Sequence, residues 1–418
     1  MRANLVTALI GMLGVVGCGG GGSSVTGGGG SSSTPPSGSN VQAVTVDSGP
    51  ASIASSNNPA VNTLYTHVTV CVPGTSTCQD IDHIQVDTGS SGLRILSSAL
   101  TLTLPLKQDS NGNVFAECVH FVDGSSWGPL RQADIKISGE VASNLAVQII
   151  GDAAYQTIPS GCIGTGTAEN TVAAFGANGI LGVGPFIQDC GPSCEGPGGA
   201  TYYTCTTTTA CTDTGIALTL QVTNPVTAFS TDNNGVIIEL PAVSGTAASV
   251  SGYLIFGIGT QSNNGLGTAQ VLTLDATGAL STTYKSATLN QSFIDSGSNA
   301  YYFPDSSINV CAQSTQAPGF FCPGTTLSLS ATLVGTNNVS APTNFTVADA
   351  NSLFTSATTT IAVASSLAAP SNSVSADGTT FNGTETFDWG LPFYFGRNVY
   401  TAIETMNTSA GKGPYFAF

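Results

Sequence analysis

The feature that most constrains the fold is a short motif that occurs twice, far apart in the chain. The first copy, "QVDTGSSGLRI", spans 85–95, and the second, "FIDSGSNAYYF", spans 293–303. In each copy an apolar residue, Asp, Thr or Ser, Gly and Ser follow a stretch typical of a strand. The repeat predicts an internal duplication in which two β lobes each contribute one loop. We place the lobes at 41–225 and 226–418 and expect them to meet near 223–233, where the sequence becomes polar.

The rest of the chain has the pattern of short strands joined by turns. Of its 418 residues 51 are Gly and only 8% are charged, so long charged helix formers are scarce. Apolar and polar residues alternate in runs that we predict to be strands, at 64–72, 81–86, 115–122, 133–137, 145–150, 236–240 and 253–256. Short helices are expected near 221–229, 305–311 and 347–354. The predicted fold class is therefore all-β.

The residues around each motif Asp suit a close contact between two carboxyl groups. Gly89 and Gly297 lack a Cβ, so another chain segment can approach them closely. Hydroxyl groups that can form hydrogen bonds across the contact are those of Thr88, Ser90, Ser296 and Ser298. Two carboxyl groups about 3 Å apart do not both ionise readily and share one proton. A pair formed by Asp87 and Asp295 could then activate water and protonate a carbonyl or an amine, which is sufficient for amide hydrolysis without a metal or a cofactor.

Together with other segments in the same order, the motifs resemble those of the pepsin-like, bilobal aspartic peptidases, over nearly all of the chain from about Val41 onward. The segment "FGANGILGVGP" (175–185) resembles the apolar-apolar-Gly segment behind the first Asp, and "GYLIFGIGT" (252–260) resembles the opening of the second lobe's sheet. The segment "DWGLPFYFGRNVYTAIE" (388–404) resembles the closing part of the C-terminal lobe. The segment "HFVDGSSWG" (120–128) takes the place of the flap, a hairpin over the cleft, with "DGSSWGP" as its predicted tip.

The resemblance implies a pepsin-like fold of two β-barrel-like lobes with an active-site cleft between them. Asp87 and Asp295 would activate water there, supported by Thr88, Gly89, Ser90, Ser296, Gly297 and Ser298. An extended peptide or protein substrate would lie between the lobes and the flap, which includes Phe121, Gly124 and Ser125. We expect neither a cofactor nor a metal ion, and we expect a monomer.

Three positions depart from the family pattern. Phe121 stands where the flap usually has a Tyr, so a hydroxyl is missing. Arg94 replaces the Trp that normally partners this Tyr, and a cation near the cleft could lower a carboxyl pKa or select an acidic group of a substrate. Pro392 stands at the Gly of the second apolar-apolar-Gly segment, read as 390–392, and no prosegment is evident before the first strand. These departures leave open a second hypothesis: a pepsin-fold surface lipoprotein that binds a peptide, a glycan or a partner protein without cutting it.

The N-terminal residues predict export and a lipid anchor. A basic residue, an apolar run at 5–16 and a small residue precede Cys18, an order that resembles the lipobox of bacterial lipoproteins, whose Cys is acylated. A plain signal peptide with an incidental Cys is the alternative. We predict a signal peptide at 1–17, a lipid on Cys18 and a Gly/Ser-rich linker at 18–40. The protein is then expected in the bacterial cell envelope, anchored to a membrane on its periplasmic or surface face.

The net charge of −16 excludes one class of partner. Nucleic acids and anionic membrane surfaces are bound through clustered cations, and the chain has only eight Lys and Arg. We therefore expect no nucleic-acid partner.

The remaining cysteines are even in number, which in an exported chain predicts disulfides. They are Cys71, Cys78, Cys118, Cys162, Cys190, Cys194, Cys205, Cys211, Cys311 and Cys322. The two close pairs, 71/78 and 311/322, are expected to bridge short loops, and 118/162 could be a longer link. The four cysteines from 190 to 211 should pair within one loop, in a pattern that the sequence leaves open. A zinc site at 190/194 is disfavoured because thiolates would be oxidised in that compartment.

A competing motif is "GSSWG" at 124–128, which fits the G-x-S-x-G nucleophile elbow. That motif needs a strand-to-helix turn and a His further along the chain. The three histidines, His67, His83 and His120, all precede it, so we reject a serine hydrolase.

Overall fold

The structure is a computed structural model that describes residues 36–56, 58–121, 124–162, 167–355, 360–371 and 383–418. The predicted signal peptide and the predicted lipidation site Cys18 lie outside the described residues. None of the helices in these ranges has the length and the apolar sequence that a membrane span requires.

Strands dominate both halves of the chain. Those before residue 225 are β1 (Val41–Val46), β2 (Leu64–Cys71), β3 (Cys78–Asp87), β4 (Ser91–Leu96), β5 (Val114–His120), β6 (Gly124–Ile137), β7 (Glu140–Ile150), β8 (Thr167–Ala168), β9 (Gly179–Val183), β10 (Tyr202–Thr207) and β11 (Ala210–Asp213). Those after it are β12 (Gly235–Leu240), β13 (Thr246–Ala247), β14 (Val250–Phe256), β15 (Val271–Thr273), β16 (Leu280–Tyr284), β17 (Ala287–Ile294), β18 (Tyr301–Tyr302), β19 (Leu327–Val334), β20 (Ser340–Val347), β21 (Val363–Ala364), β22 (Ala368–Ala369), β23 (Asp388–Trp389), β24 (Arg397–Ala402), β25 (Asn407–Thr408), β26 (Gly411–Lys412) and β27 (Tyr415–Ala417). Each predicted strand overlaps an observed one, and the predicted all-β class is confirmed.

Helices are short and few among the described residues. The α-helices are α1 (Ala51–Ala54), α2 (Val172–Phe175) and α3 (Ala350–Thr355), and the 3-10 helices are Ser97–Ala99, Gly191–Cys194, Leu218–Leu220, Pro225–Ala228, Gly383–Glu385 and Leu391–Tyr394. The helix predicted at 305–311 is wrong. The Asp305 carboxylate accepts hydrogen bonds from the Ser307 backbone N–H and hydroxyl, and this local turn competes with a helix.

Two large sheets organise the fold. The larger sheet has the strand order β11-β10-β5-β6-β7-β4-β9-β3-β2-β1-β14-β12-β24-β27-β15, with β8 added beside β6. The smaller sheet has the order β20-β19-β16-β17-β23-β18-β22. Strand β1 pairs antiparallel with β14, so the N-terminal strand continues into the sheet of the C-terminal half. The two halves of the chain are therefore joined by backbone hydrogen bonds.

The two halves contain the same local arrangement around the repeated motif. In the first half, β3 is parallel to β9, which pairs antiparallel with β4. In the second half, β17 is parallel to β23, which pairs antiparallel with β18. In the first half, β9 lies between β3, which precedes the motif loop, and β4, which follows it. In the second half, β23 lies in the same way between β17 and β18. The duplication inferred from the motif is thus present in the backbone.

Aromatic packing fixes β23 beside the second motif. The ring of Trp389 stacks on Phe387 with centroids 4.0 Å apart, and Phe387 stacks on Phe303 at 4.9 Å. All three side chains are fully buried. Burial of large aromatic rings is the main source of stability in such a core, and each well-placed ring pair adds about 1 kcal/mol.

Five disulfides cross-link the chain. They join Cys71 to Cys78, Cys118 to Cys162, Cys190 to Cys194, Cys205 to Cys211 and Cys311 to Cys322. The expected pairs are confirmed. The four cysteines from 190 to 211, whose pairing the sequence left open, form two disulfides that each close a short loop. Disulfides in this number are typical of a protein that folds in an oxidising compartment.

We predict that the longest disulfide loop stabilises the fold more than a short one. The Cys118–Cys162 bridge has a sequence separation of 44, against 7 for Cys71–Cys78. Loop-closure entropy of the unfolded chain gives about 4 and about 2.5 kcal/mol for loops of these lengths. The double variant C118S/C162S should therefore lose more unfolding free energy than C71S/C78S in guanidinium chloride titrations at one pH. An equal or reversed order would contradict this explanation.

Candidate active site

The carboxyl group of Asp87 is fixed by the loop that follows β3. Gly89 N donates a hydrogen bond to Oδ1 at 2.8 Å, and Ser90 Oγ donates to Oδ2 at 2.5 Å. Val86, the residue before Asp87, is fully buried and anchors the end of the strand in the core. Asp87 itself is only 1% exposed. The buried end of β3 thus places the Asp87 carboxyl group in the interior, and Gly89 and Ser90 after it donate hydrogen bonds to that group.

The second motif repeats these bonds around Asp295, which directly follows β17. Gly297 N donates to Asp295 Oδ1 at 2.7 Å, and Ser298 Oγ lies 3.0 Å from Oδ2. Asp295 is fully buried. The two loops therefore hold their carboxyl groups in the same way.

Reciprocal hydrogen bonds join the two loops across the halves of the chain. Thr88 N donates to Ser296 Oγ at 3.1 Å, and Ser296 N donates to Thr88 Oγ1 at 2.9 Å. Each hydroxyl then donates to a carbonyl of the opposite half, Thr88 Oγ1 to Ile294 O at 3.3 Å and Ser296 Oγ to Val86 O at 2.9 Å. All four bonds are buried, so they fix the position of one motif relative to the other.

The glycines allow the two carboxyl groups to meet. A Cβ on Gly89 would lie 2.8 Å from both carboxyl oxygens of Asp295, and a Cβ on Gly297 would lie 2.4 Å from Asp87 Oδ1. Neither distance is tolerated between non-bonded atoms, so any larger residue would push the opposite carboxyl away. The carboxyl groups of Asp87 and Asp295 are hydrogen-bonded to each other. The structure thus brings together two residues that are 208 positions apart, as their numbers show.

The two carboxyl groups differ in pKa. Burial raises the pKa of Asp295 to about 7, and the charge of Asp87 acts in the same direction. Burial also acts on Asp87, but its pKa lies below the usual value, and the hydrogen bonds from Asp295, Ser90 and Gly89 act in the lowering direction. At weakly acidic pH one proton is therefore held on the Asp295 side of the pair.

Two further side chains contact the loops that carry the pair. The hydroxyl of Tyr394 lies 2.8 Å from Thr88 Oγ1, and Gln85 Nε2 donates to Gly297 O at 3.0 Å. Sequence reasoning missed both. Tyr394 lies in a short aromatic run that gives no sequence signal of a polar contact, whereas Gln85 lies inside the first motif and could have been recognised by its position two residues before Asp87.

The assignment of the second apolar-apolar-Gly segment to 390–392 is wrong. A Cβ on Gly390 would lie 2.1 Å from Ala300 O and 2.7 Å from Ser298 O, just as a Cβ on Gly182 would lie 2.7 Å from the backbone of Ser90. Gly390 thus has the place of Gly182, and the segment is 388–390. Pro392 belongs to the 3-10 helix that follows, so the family glycine is present after all.

The predicted flap is the β5–β6 hairpin. Phe121 N donates to Gly124 O at 2.7 Å, and Val122 and Asp123 between them lie outside the described residues. The tip is shorter than expected because Gly124 and Ser125 already belong to β6, where Ser125 pairs with His120. Phe121 is 2% exposed and packs edge-on against Phe175 with ring centroids 5.9 Å apart.

Arg94 is buried in a charge cluster of the first half. Its Nη2 lies 2.7 Å from Glu117 Oε1 and 2.9 Å from Asp189 Oδ2, and its Nη1 donates to Ser91 O. The side chain is only 2% exposed. Two carboxyl groups therefore balance the charge of Arg94, and it does not present a free cation to an acidic group of a substrate, contrary to what its position in the sequence suggested.

A metal site does not form around these groups. In the part of the chain that the structure describes, no three His, Cys, Asp or Glu side chains are grouped so that they could hold a metal ion.

The fold is that of the pepsin-like aspartic proteinases. Among solved structures the chain is similar to an aspartic proteinase from Irpex lacteus, with 15% sequence identity and a TM-score of 0.51, over 90% of this chain and 96% of that one. At this identity the likeness shows the fold alone, and the predicted bilobal architecture is confirmed. The chain belongs to the family described as "Protein of unknown function (DUF3443)", which it matches over residues 36–418. No curated protein matches it.

We predict that Asp295→Asn changes how stability depends on pH. The pKa of Asp295 rises from its usual 3.8 to about 7 on folding, so the folded protein holds a proton that the unfolded chain releases between these values. The stability that this proton contributes is fully present below pH 3.8 and is lost as the pH rises to about 7, at about 1.4 kcal/mol per pH unit.

Urea unfolding from pH 4 to pH 8, in steps of about one unit, measures the effect. The wild type should lose unfolding free energy relative to D295N as the pH rises toward 7. The matched control is D80N, on the exposed part of β3, which should follow the wild type. Parallel profiles for the wild type and D295N would contradict the pKa assignment.

Proposed function

We propose that the chain is an aspartic endopeptidase that hydrolyses peptide bonds of peptides or proteins with a water molecule activated by Asp87 and Asp295. The observation that carries this proposal is the buried pair of mutually hydrogen-bonded carboxyl groups whose pKa values differ. Burying two such groups in contact is unfavourable for folding. A protein that only binds a ligand has no need of the shared proton, whereas water activation uses it directly.

The arrangement supports a two-step proton exchange. The ionised Asp87 takes a proton from water as the oxygen attacks the peptide carbonyl, and the protonated Asp295 gives its proton to the carbonyl oxygen. When the tetrahedral intermediate collapses, Asp87 passes its proton to the leaving amine, and Asp295 recovers one from the hydroxyl that becomes the new carbonyl. The C–N bond breaks, and the pair returns to its starting state without an outside proton donor.

The pH range of the activity follows from the same two pKa values. The competent state has Asp87 ionised and Asp295 protonated. It therefore exists above the lowered pKa of Asp87 and below the pKa of about 7 of Asp295. We expect the highest activity at acidic pH and its loss above neutrality.

One observation favours the second candidate function, a pepsin-fold lipoprotein that binds without cutting. Phe121, at the place of the flap Tyr, has no hydroxyl and is packed in an apolar cluster with Phe175, Tyr65 and Ile180. A flap without this hydrogen-bonding group would reduce turnover but would leave a groove able to hold a ligand. Both candidates share the fold and differ in whether the carboxyl pair is used.

We predict that D87N and D295N each abolish peptide hydrolysis, with losses of at least about a thousand-fold, because each variant removes one member of a unit that acts jointly. A peptide-library digest from pH 3 to pH 8, in steps of about one unit, measures this, with D80N as the control that should retain activity. A statine-type transition-state inhibitor should bind the wild type at acidic pH and bind D87N much more weakly. Cleavage by either dyad variant would defeat the peptidase assignment, and binding of peptides without any cleavage by the wild type would favour the second candidate.

We also propose that the protein is exported and held at a bacterial membrane by acylation of Cys18. The five disulfides support an oxidising compartment. The order of a basic residue, an apolar run and a small residue before Cys18 supports the anchor. The polar linker after it would hold the folded part away from the membrane.

We predict that Cys18→Ser releases the protein from membranes. Each buried methylene of an acyl chain contributes about 0.8 kcal/mol, so loss of the lipid on Cys18 removes the anchor. The wild type should incorporate radiolabelled fatty acid and enter the detergent phase on phase separation, and C18S should do neither. Membrane association that persists in C18S would contradict the lipid anchor.

A further inference from the structure

A third carboxyl group, that of Asp388, lies behind the Asp295 side of the pair. Asp388 begins β23 and lies beside Phe293 in the parallel register, and it is 6% exposed. Its Oδ2 accepts a hydrogen bond from Ser298 Oγ at 2.6 Å. Its Oδ1 is buried and has no hydrogen-bond partner among the described residues. Because its neighbours Phe387 and Trp389 are fully buried aromatic residues, little water is available to solvate an ionised Asp388.

Ser298 lies between two carboxyl groups and has one hydrogen to donate. Its Oγ is 3.0 Å from Asp295 Oδ2 and 2.6 Å from Asp388 Oδ2. One hydroxyl cannot donate to both carboxyl groups. Both contacts are hydrogen bonds only if one of the two carboxyl groups carries a proton and donates it to Oγ. The geometry therefore favours a state in which Asp295 and Asp388 together hold one proton.

The first half of the molecule lacks this arrangement. The residue that lies beside Gln85 in the corresponding register is Ile180, so the place of Asp388 is apolar there. Ser90 Oγ contacts only the one carboxyl, that of Asp87, among the described side chains, and can donate its hydrogen to the ionised form. The same backbone thus stabilises an ionised carboxylate in one half and a protonated pair in the other.

The charges around Asp388 act in the same direction. Among the described residues, the ionisable groups that interact with it electrostatically are Asp295, Asp87 and the hydroxyl of Tyr394, and within the same residues it has no ion pair with a cation. Burial first, and then the charge of Asp295, raise the pKa of Asp388 well above its usual value. The electrostatics thus support what the hydrogen-bond geometry requires.

We propose that Asp388 is a positioning residue of the active site, which acts through Ser298 to retain one proton on the Asp295 side of the carboxyl pair and so extends hydrolysis toward neutral pH. The inference rests on the proposed peptidase function. Two arrangements of the single proton exchange: Asp295 donates to Ser298, which donates to Asp388, or Asp388 donates to Ser298, which donates to Asp295. The two hydrogens move together along the chain of three groups, and the negative charge moves the opposite way.

The arrangement would favour catalysis because it disfavours the state in which Asp295 and Asp388 are both ionised. If both Asp295 and Asp388 were ionised, the single hydrogen of Ser298 would leave one buried carboxylate without its donor. The single proton that Asp295 and Asp388 share is therefore lost only at higher pH. With Asn or Ile at 388, Ser298 can donate to an ionised Asp295, as Ser90 does to Asp87, so the proton leaves earlier.

The first test is the pH profile of kcat for D388N and D388I. Asn keeps the size of the side chain, and Ile is the residue of the other half, so at least one replacement should be accommodated. The alkaline limb should move to lower pH by about one unit in both variants, with the acidic limb in place. A purely structural role of Asp388 would lower kcat at all pH values without moving the limb, and that result would overturn the proposal.

The second test asks whether the effect passes through Ser298. In an S298A background, Asp388 no longer has a bonded route to Asp295, so adding D388N should move the alkaline limb no further than S298A alone. If D388N retains its full shift in that background, Asp388 acts by its charge alone, and the role of Ser298 is wrong.

The closing experiment does not need catalysis. Infrared spectra of the full chain carrying 13C-labelled aspartate report the C=O stretch of protonated carboxyl groups as the pH is raised. The midpoint at which the last such band disappears should fall by about one pH unit in D388N and D388I. An unchanged midpoint overturns the proposal even if the wild type cleaves peptides. A shifted midpoint in a protein that cleaves nothing supports the shared proton and instead defeats the proposed peptidase function.

Discussion

The reciprocal hydrogen bonds between Thr88 and Ser296 are the constraint on which the rest of the site depends. Each backbone N–H is satisfied by the hydroxyl of the other loop, and each hydroxyl by a carbonyl of the other half. Buried donors and acceptors that are paired in this way leave no alternative position without an unsatisfied polar group. The loops are therefore held so close that only glycine fits at 89 and 297, and two carboxyl groups that would repel each other in their ionised forms are kept in contact.

The duplicated backbone does not imply duplicated chemistry. Both halves present an Asp with the same two donors, yet the residue in the neighbouring strand is Ile180 in one and Asp388 in the other. The surroundings of Asp87 thus suit an ionised carboxylate, and the surroundings of Asp295 suit a protonated carboxyl group. A symmetric pair would have no preferred location for its proton. In our proposal, this single difference, two residues before a shared glycine, favours the proton on the Asp295 side of the pair.

The charge cluster around Arg94 could not be predicted from the position of Arg94 in the sequence. The sequence places Arg94 seven residues after Asp87 and therefore near the cleft, which is all that a family pattern can indicate. Its partners Glu117 and Asp189 are 23 and 95 residues away, and no sequence signal links them to it. In the structure they enclose the guanidinium, and removing one partner of such a buried group typically costs about 3–5 kcal/mol. The cluster is thus part of the core of the first half rather than of a substrate-binding surface.

The amino-acid sequence alone was enough to predict the all-β class, the position of several of the longer strands, the duplication, the two carboxyl loops and the cysteines that form disulfides. These are local signals: periodicity, turn residues and spacing along the chain, each set by the conformational preferences of a few neighbouring residues. The three-dimensional arrangement was needed to establish that Gly390, not Pro392, matches Gly182, that Tyr394 touches Thr88, and that Asp388 contacts Ser298 beside the carboxyl pair. The reason is that these contacts depend on which strand lies beside which, and strand pairing is set by burial of the whole core rather than by any local run of residues.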